Sequence, residues 1–166
     1  MSKPWVRALT TAMTVGIMIM IFCFSMQPGE KSDETSGEIA QKVADWINPE
    51  WREMEEPERD EFYDHVQFVI RKCGHFTEFA MLGFSLRLCL ESWFGRRKSL
   101  LLRSWGGSTL YAALDEMHQL GVEGRTGQYV DVLIDSSGAL FGILVLTGIL
   151  ALCRKKKTEK TGLCSE

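Results

Sequence analysis

Histidines beside carboxylates are the residues of this 166-residue chain whose types and spacing could do chemistry. His75 and Glu78 are three positions apart and therefore share one face of a helix. A second group, further along the chain, consists of Asp115, Glu116, His118 and Gln119, followed by Arg125 and Asp131. These eight residues are the candidate ligand-binding residues. The candidate catalytic residues among them are His75, Glu78, Asp115 and His118.

Three kinds of chemistry fit these residue types. A histidine held by a buried carboxylate can act as a general acid or base. Histidine nitrogens and a carboxylate can also bind a divalent metal ion, although no HExxH motif is present and His-x-x-Glu is common by chance. The candidate metal ligands are His75, Glu78 and His118. The third interpretation is a buried network that only holds helices together, with Arg125 bridging Asp131 or Glu123.

Uncharged runs show which elements must position these residues. Residues 8–26 contain 19 residues without a charge, about 28 Å of helix at roughly 1.5 Å per residue, which is enough to cross a bilayer. A cleaved signal peptide is the rival interpretation, but its apolar core runs to about 15 residues and ends at a small-x-small site. Residues 136–153 form a second uncharged run, and the basic residues after it are typical of a stop-transfer signal.

Two weaker candidate spans, 73–94 and 101–121, lie between these runs and carry ionisable residues near an end. Charge sorting decides between two spans and four, because cytoplasmic loops collect Lys and Arg. Segment 27–72 has 13 acidic and six basic residues and should face outward, whereas 94–103 has four basic residues and no acid and should face the cytoplasm. Only four spans satisfy both segments.

The sequence therefore predicts an all-α, polytopic membrane protein with four transmembrane helices and both termini in the cytoplasm. The length of the chain allows one domain, 1–166. Its parts are spans at about 8–26, 73–94, 101–121 and 133–153, an extracytoplasmic segment 27–72, and a basic cytoplasmic tail 154–166. This topology brings the candidate residues to one depth near the outer face, which predicts a polar pocket in the outer leaflet.

Whole-chain averages conceal this organisation. Hydrophobic residues make up 45% of the chain, the net charge is −3, and the mean hydropathy is −0.06, as in an ordinary soluble protein. The pI of about 5.7 leaves no basic footprint for nucleic acid, so no nucleic-acid partner is predicted. Five cysteines, an odd number, do not form a disulfide framework. The sequence predicts no cofactor other than the metal ion considered above, and it leaves the oligomeric state open.

The outer segment predicts two amphipathic helices between the first two spans. The first has an apolar stripe at helical spacing, formed by Ile39, Val43, Trp46 and Ile47. Pro57 can open the second helix at its first turn. The apolar side of that helix is formed by Phe62, Val66 and Val69. The second helix can continue directly into the span 73–94, and both helices would lie on the outer membrane surface or cap the bundle.

Small residues and a charged pair predict how the spans pack. Gly138 and Gly142 form a small-xxx-small pair, which predicts a close helix crossing. A second candidate pair for such a contact is Gly106 and Gly107. Arg87 and Glu91, four residues apart, can pair near the cytoplasmic end of their span.

Three stretches of the chain carry a longer pattern. They are FSMQPGEKSDETSGEIA (24–40), RKCGHFTEFAMLGF (71–84) and DEMHQLGVEGRTGQYVDVLIDSSGALFG (115–142). In this order they resemble the VanZ family of small bacterial membrane proteins. The resemblance places ten residues at motif positions: Lys72, His75, Glu78, Asp115, Glu116, His118, Gln119, Arg125, Asp131 and Gly138. Asp135 departs from the pattern, because Asn is expected there, and it adds a carboxylate.

The resemblance implies a fold and a setting in the cell envelope rather than a reaction. The family is named after a protein that confers resistance to teicoplanin, a lipid-bearing glycopeptide that acts at the outer face of the membrane. We therefore expect a multi-pass cell-membrane protein whose outer-leaflet pocket binds an amphiphile, either a membrane lipid or a lipid-linked cell-wall precursor. The alternatives are a membrane enzyme that modifies such a headgroup by His/carboxylate chemistry, and an assembly factor for cell-wall enzymes.

Overall fold

A computed structural model of the protein describes residues 3–125 and 127–162. Over these residues the chain forms five α-helices, one short 3-10 turn and no β-strand. The helices are α1 (Pro4–Ser25), α2 (Gly29–Ile47), α3 (Glu56–Phe94), α4 (Ser99–Gln119) and α5 (Tyr129–Gly162), and the 3-10 turn is Trp51–Glu53. The all-α prediction is confirmed. Of the predicted tail 154–166, residues 163–166 lie outside the described residues.

Two helices are long and apolar enough to cross a membrane, namely α1 and the part of α5 at Tyr129–Lys155. Only 22% of the apolar window of the first and 33% of that of the second are buried. Because an apolar helix in a soluble core is mostly buried, these exposed helices indicate a membrane protein. The predicted spans 73–94 and 101–121 do not meet the same standard of length and composition, since ionisable residues interrupt them.

α3 is a single helix of 39 residues that joins the predicted outer helix to the predicted span 73–94. Pro57 lies in its first turn, where the missing N–H of proline loses no helical hydrogen bond. The helix ends at Gly95, whose φ of 68° favours a residue without a Cβ atom. The prediction that the helix opened by Pro57 continues directly into residues 73–94 is therefore confirmed.

α3 and α5 cross with their backbones in close contact. Cβ atoms at Gly138 and Gly142 of α5 would overlap the carbonyl oxygens of Phe76 and Ala80. Gly83 of α3 approaches the backbone of α5 in the same way. The small-xxx-small prediction is confirmed, and these glycines set the distance between the two longest helices.

The other predicted glycine contact was wrong for Gly106. A Cβ atom at Gly106 would meet nothing within 4 Å among the described residues, and one at Gly107 would meet only a methyl group of Leu86, at 3.3 Å. Small residues permit a close crossing only where a neighbouring backbone comes near, and no backbone approaches α4 at this point.

α2 packs on α3 through small residues. Ala40 and Ala44 are fully buried and form a small core with Trp51 and Val66. The Trp51 indole N–H donates to Asp45 Oδ1 at 2.7 Å. This hydrogen bond, together with the adjacent Arg52 guanidinium, holds the pKa of Asp45 below its usual range. These contacts hold the connection between α2 and α3 against the last turns of α2.

The predicted apolar stripe of α2 is mostly exposed, and a different face of the helix packs on α3. Ile39, Trp46 and Ile47 are exposed, Trp46 by 85%, and only Val43 of the predicted stripe packs against the core. The alanine face is buried instead because small side chains let α2 approach α3 closely. Helical spacing alone could not choose between the bulky face and the small one.

α4 has its polar residues inside and its apolar residues outside. Ser104, Ser108 and Asp115 are buried. The large side chains that are more than half exposed are Leu102, Leu110, Leu114, Met117 and Leu120. This order is the reverse of that in a helix on the surface of a soluble protein, and it is typical of a helix surrounded by lipid.

An ion-pair cluster lies at the end of the bundle that is remote from α2. Arg87 is buried and its Nη1 lies 2.7 Å from Glu91 Oε2, as their spacing predicts. Arg154 Nη2 lies 3.7 Å from Glu91 Oε1 and so connects α5 to α3. Arg7 connects α1 to the same end, because its Nε donates to the carbonyl oxygen of Ser92 at 3.3 Å.

Candidate functional site

A pocket opens where the ends of α1, α2 and α4 meet the middle of α3. Its cavity volume is about 220 Å³, and it is partly open to solvent. Of the eight residues predicted to bind a ligand, the structure brings five together in its lining: His75, Glu78, Asp115, Gln119 and Arg125.

Part of the lining of the pocket is apolar. Ile21 and Phe24 come from α1, Ile39 from α2 and Ile70 from α3. Three helices thus supply large apolar side chains to the same space that holds the ionisable residues. Binding sites for small molecules commonly combine an apolar lining with a few polar groups that orient the ligand, and this pocket has both.

Asp115 and Gln119 line the pocket from the last turns of α4. Gln119 Nε2 donates to Asp115 Oδ2 at 3.0 Å. The side chain of Asp115 is buried. Its other oxygen, Oδ1, accepts no hydrogen bond of regular geometry from the described residues, although the buried Ser25 hydroxyl lies beside the carboxylate. A buried acceptor without a donor costs about 1–3 kcal/mol. A ligand that donates a hydrogen bond to Oδ1 would remove this cost.

Arg125 connects the loop after α4 to the end of α1. Its Nε and Nη2 donate to the carbonyl oxygens of Gln27 and Phe24, each at 3.3 Å. Its Nη1 donates to Gln119 Oε1 at 3.5 Å. The carbonyls at the C-terminal end of α1 have no partners within the helix and carry partial negative charge, so they favour a guanidinium there. Arg125 thereby holds three segments at the edge of the pocket.

Asp131 at the start of α5 pairs with Lys72 of α3. Lys72 Nζ contacts Asp131 Oδ1, and the two side chains are only 13% and 10% exposed. The predicted bridge from Arg125 to Asp131 or Glu123 was therefore wrong. Lys72 forms the ion pair with the carboxylate of Asp131. The guanidinium of Arg125 donates hydrogen bonds to the carbonyl groups at the end of α1 instead.

His75 lies between the pocket and α5. Its Nδ1 is 3.7 Å from Oδ1 of Asp135, a side chain that is 1% exposed. Neither atom makes a hydrogen bond within the part of the chain that the structure describes. Glu78, one turn further along α3, also lines the pocket. A histidine beside buried carboxylates is an arrangement that general acid–base chemistry uses.

Glu116 and His118 are two candidates that do not line the pocket. Glu116 Oε1 accepts the backbone N–H of Gln128 at 2.5 Å, immediately before α5 begins, where a helix dipole favours a carboxylate. His118 is exposed and stacks on Phe22, with ring centroids 4.9 Å apart. Neither residue lines the pocket, so the structure does not bring these two to the predicted site.

The structure does not assemble the predicted metal ligands. No group of three or more His, Cys, Asp or Glu residues that could hold a metal ion occurs among the described residues. His75 and Glu78 line the pocket, whereas His118 stacks on α1 outside it. The helix that carries His118 is rotated so that Asp115 and Gln119, and not the histidine, point into the bundle.

Several lining residues were not among the sequence-based candidates. Arg71 lies four residues before His75, so helical spacing from a known candidate could have indicated it. Asp135 does not line the pocket, but its Oδ1 lies 3.7 Å from His75 Nδ1. Ser25 and Ser32 also line the pocket. The sequence carries no signal for these two, because their position depends on how α1 and α2 approach α3.

The chain matches no curated protein and no solved structure significantly. The profile of the VanZ/LLP1 family matches residues 10–152, which is most of the chain. The matched residues include the whole lining of the pocket. On this match, and in agreement with the three stretches that resemble VanZ proteins, the chain belongs to the VanZ/LLP1 family.

Proposed function

We propose that the protein is a multi-pass protein of the cell membrane that binds an amphiphilic or lipid-linked ligand at the outer face. The observation that carries this proposal is the composition of the pocket, in which apolar side chains of α1, α2 and α3 share one lining with His75, Glu78, Asp115 and Arg125. A ligand with an apolar part and a polar headgroup satisfies both. Membrane lipids and lipid-linked cell-wall precursors have this chemistry, and their binding would contribute to resistance against teicoplanin-type glycopeptides.

Four helices span the membrane in this proposal: α1, the C-terminal part of α3, α4 and α5. α4 exposes its leucines and buries Asp115. This arrangement supports a lipid environment for α4, although the helix also contains polar residues. The C-terminal part of α3 has the same order, since Trp93 and Phe94 are exposed while Arg87 and Ser92 are buried. Ionisable residues of membrane helices face the inside of the helix bundle because contact between a charge and lipid costs free energy.

The distribution of charge supports one orientation of these helices. The connection between α3 and α4 contains Arg96, Arg97 and Lys98, and α5 continues into Arg154 and three lysines, so both belong in the cytoplasm. Both termini are then cytoplasmic, and α2 and the pocket lie outside. The exposed Trp46 and the aliphatic residues beside it on α2 would rest on the outer leaflet, because tryptophan favours the membrane interface.

Labelling of single cysteines tests this topology. In a chain without its native cysteines, we expect a membrane-impermeant maleimide to label Glu123→Cys in intact cells and to label Ser99→Cys only after the membrane is permeabilised. The reason is that Glu123 lies in the loop after α4, whereas Ser99 begins α4 at its basic end. Labelling of both positions, or of Ser99→Cys alone, in intact cells would contradict the four-span orientation.

Ligand binding is tested with the purified protein in nanodiscs, using a fluorescent lipid-linked cell-wall precursor and teicoplanin as probes. We expect at least one probe to bind and His75→Ala and Asp115→Ala to weaken its binding by roughly tenfold or more, because each removes a buried polar contact. Matched controls are His65→Ala and Asp60→Ala, which change exposed residues of the same types on α3. Equal binding by all four variants would count against the pocket.

The alternative function is an enzyme that modifies a lipid or wall-precursor headgroup. The observation in its favour is that His75 Nδ1 lies 3.7 Å from Asp135 Oδ1, while His75 and Glu78 both line the pocket. In this case cells with and without the gene should differ in one lipid or precursor species, and His75→Ala should abolish the difference. Identical lipid profiles would exclude the enzyme and leave the binding proposal intact.

A further inference from the structure

An apolar groove is lined by α1, α3 and α5, the helices that carry the long apolar runs and the close crossing. Its volume is about 380 Å³, and it is partly open to its surroundings. All three helices contribute large apolar side chains to it, and these are Met13, Ile17, Met81, Phe84, Phe141 and Val145. We call this space the lipid-side groove, because the proposed function places all three of these segments in the membrane.

The lipid-side groove offers no group that could hold a polar headgroup. No ionisable side chain is among its described lining residues, in which Thr77 and Ser85 supply the only hydroxyl groups. Each hydroxyl donates a hydrogen bond within its own helix, Thr77 to the carbonyl oxygen of Cys73 at 2.7 Å and Ser85 to that of Leu82 at 3.0 Å. The groove therefore suits an apolar chain.

The pocket and the lipid-side groove follow one face of α3. Ile70, Gly74, Thr77 and Met81 are separated by four, three and four positions, and this spacing places them on one side of a helix. The first two line the pocket, and the last two line the groove. The groove thus begins where the pocket ends, about one turn further along α3.

The same order of the two spaces occurs on α1. Met13 and Ile17 line the lipid-side groove, whereas Ile21 and Phe24 line the pocket. These four residues are separated by four, four and three positions, so they also share one side of their helix. Two helices therefore carry the pocket and the groove as neighbouring parts of one continuous surface.

Gly74 lies at the junction of the two spaces and leaves it open. It is exposed, and no described atom lies within 4 Å of a Cβ atom built at this position. Its φ is not positive, so the backbone does not require glycine, although glycine costs a helix about 1 kcal/mol relative to alanine. Neither close packing nor backbone conformation accounts for this glycine, whereas an open passage gives it a role.

Resting on the proposed amphiphile binding, we propose that the lipid-side groove holds one fatty acyl chain of the ligand, which passes Gly74 while the headgroup stays in the pocket. From Thr77 to Ser85 the groove follows α3 for about 12 Å, at roughly 1.5 Å per residue. Half of the hydrocarbon core of a bilayer is about 15 Å thick. The groove therefore has nearly the length of an acyl chain in one leaflet.

The rim of the lipid-side groove favours an acyl chain over a helix of a second copy. Helices pack together in membranes through small residues that let their backbones approach. The small residues here, Ala80 and Gly142, already contact each other in the crossing of α3 and α5. Met81 and Phe141 are 41% and 54% exposed, and these large side chains keep another backbone at a distance but can lie along a narrow chain.

Photo-crosslinking of the full chain in nanodiscs tests the position of the acyl chain. The probe is a phosphatidylglycerol with a diazirine in the middle of one acyl chain, diluted in dioleoylphosphatidylcholine, and mass spectrometry identifies the labelled peptides. We expect labelling around Met81 to exceed labelling around the exposed Leu110 and Leu114 of α4 by roughly fivefold or more. The reason is that a bound headgroup raises the effective concentration of its own chain at the groove.

Tryptophan variants test the passage between the two spaces. Gly74→Trp should lower the labelling around Met81 to the level found on α4, because the new side chain fills the junction. The matched control is Gly106→Trp, which adds the same side chain at an exposed glycine of α4 with no described atom within 4 Å of its Cβ, and which should leave the labelling unchanged. Tryptophan is a better helix former than glycine, so both variants should fold. Thr77→Trp, which fills the groove itself, keeps the test valid if Gly74→Trp unfolds.

The other outcomes overturn the acyl-chain assignment. Strong labelling around Met81 that persists in both Gly74→Trp and Thr77→Trp would show a bulk lipid that is independent of the pocket. A disulfide between two copies of Met81→Cys, in a chain without its native cysteines, would show that a second copy occupies the groove.

The proposed function is separated from this inference by its own probes. Labelling around Met81 that is no stronger than on α4 would contradict the acyl-chain assignment. The proposed function would then stand if His75→Ala still weakens the binding of teicoplanin or of the lipid-linked precursor. If His75→Ala leaves the binding of both probes unchanged, the inference and the proposed function are both wrong.

Discussion

Gly142→Val is expected to lower the thermal unfolding temperature of the detergent-purified protein by about 6–12 °C. The valine side chain would collide with the carbonyl oxygen of Ala80, which is backbone and cannot rotate away. α3 and α5 must then separate along a crossing that also includes Gly83 and Gly138. Overpacking costs about 3 kcal/mol at the upper end of its usual range, and each kcal/mol shifts the unfolding temperature by about 2–4 °C at this chain length.

The matched control for this experiment is Gly148→Val on the same helix. No described atom lies within 4 Å of a Cβ at position 148, so the added side chain meets open space or lipid. We expect its unfolding temperature to stay within about 2 °C of the natural protein, as for other surface substitutions. If both variants unfolded at the same temperature, the close crossing of α3 and α5 would not exist in the membrane protein.

Asp131→Asn is expected to destabilise the fold by about 3 kcal/mol. It leaves the ammonium group of Lys72, which is only 13% exposed, without its carboxylate, and breaking a buried ion pair from one side costs about 3–5 kcal/mol. The double variant Lys72→Met/Asp131→Leu should recover more than half of this loss, because apolar residues can replace a buried pair at little cost. Free energies of unfolding of Lys72→Met, Asp131→Leu and the double variant give the coupling energy.

The exposed pair Arg59 and Asp60 provides the comparison for this cycle. Its atoms are 3.1 Å apart, but the side chains are 36% and 60% exposed. Solvent screens such a pair, so Asp60→Asn should change the stability by less than about 1 kcal/mol. Strictly additive effects of the changes at positions 72 and 131 would show that Lys72 and Asp131 do not interact.

The helices themselves follow from local features of the sequence. Long uncharged runs predict α1 and α5, and Pro57 and Gly95 mark where α3 begins and ends. The i,i+4 spacing of Gly138 and Gly142 was sufficient to predict a close crossing. Two glycines at this spacing leave one face of a helix without side chains, and the local sequence alone shows this. Arg87 and Glu91 were predictable as a pair for the same reason, since their distance is set within one helix.

Charge sorting also indicated which candidates belong at one depth. Because they share this depth, the sequence predicted that His75, Glu78, Asp115 and Gln119 lie near each other. In the structure all four line the pocket. The prediction included His118 as well, because a helix carries side chains on every side and depth alone does not say which way each one points. The rotation of α4 about its axis directs Asp115 into the bundle and leaves His118 exposed, against Phe22 of α1.

The sequence by itself determined the class of protein: an all-helical chain with apolar helices, ionisable residues collected toward one end, and the motifs of the VanZ/LLP1 family. Only the tertiary structure decided the partners of those ionisable residues. Asp131 pairs with Lys72 rather than with Arg125, and Arg125 binds the end of α1, because each charge takes the partner that the packed helices bring nearest. Long-range pairs depend on helix rotation and on the path of the loops, and no local pattern encodes either of these.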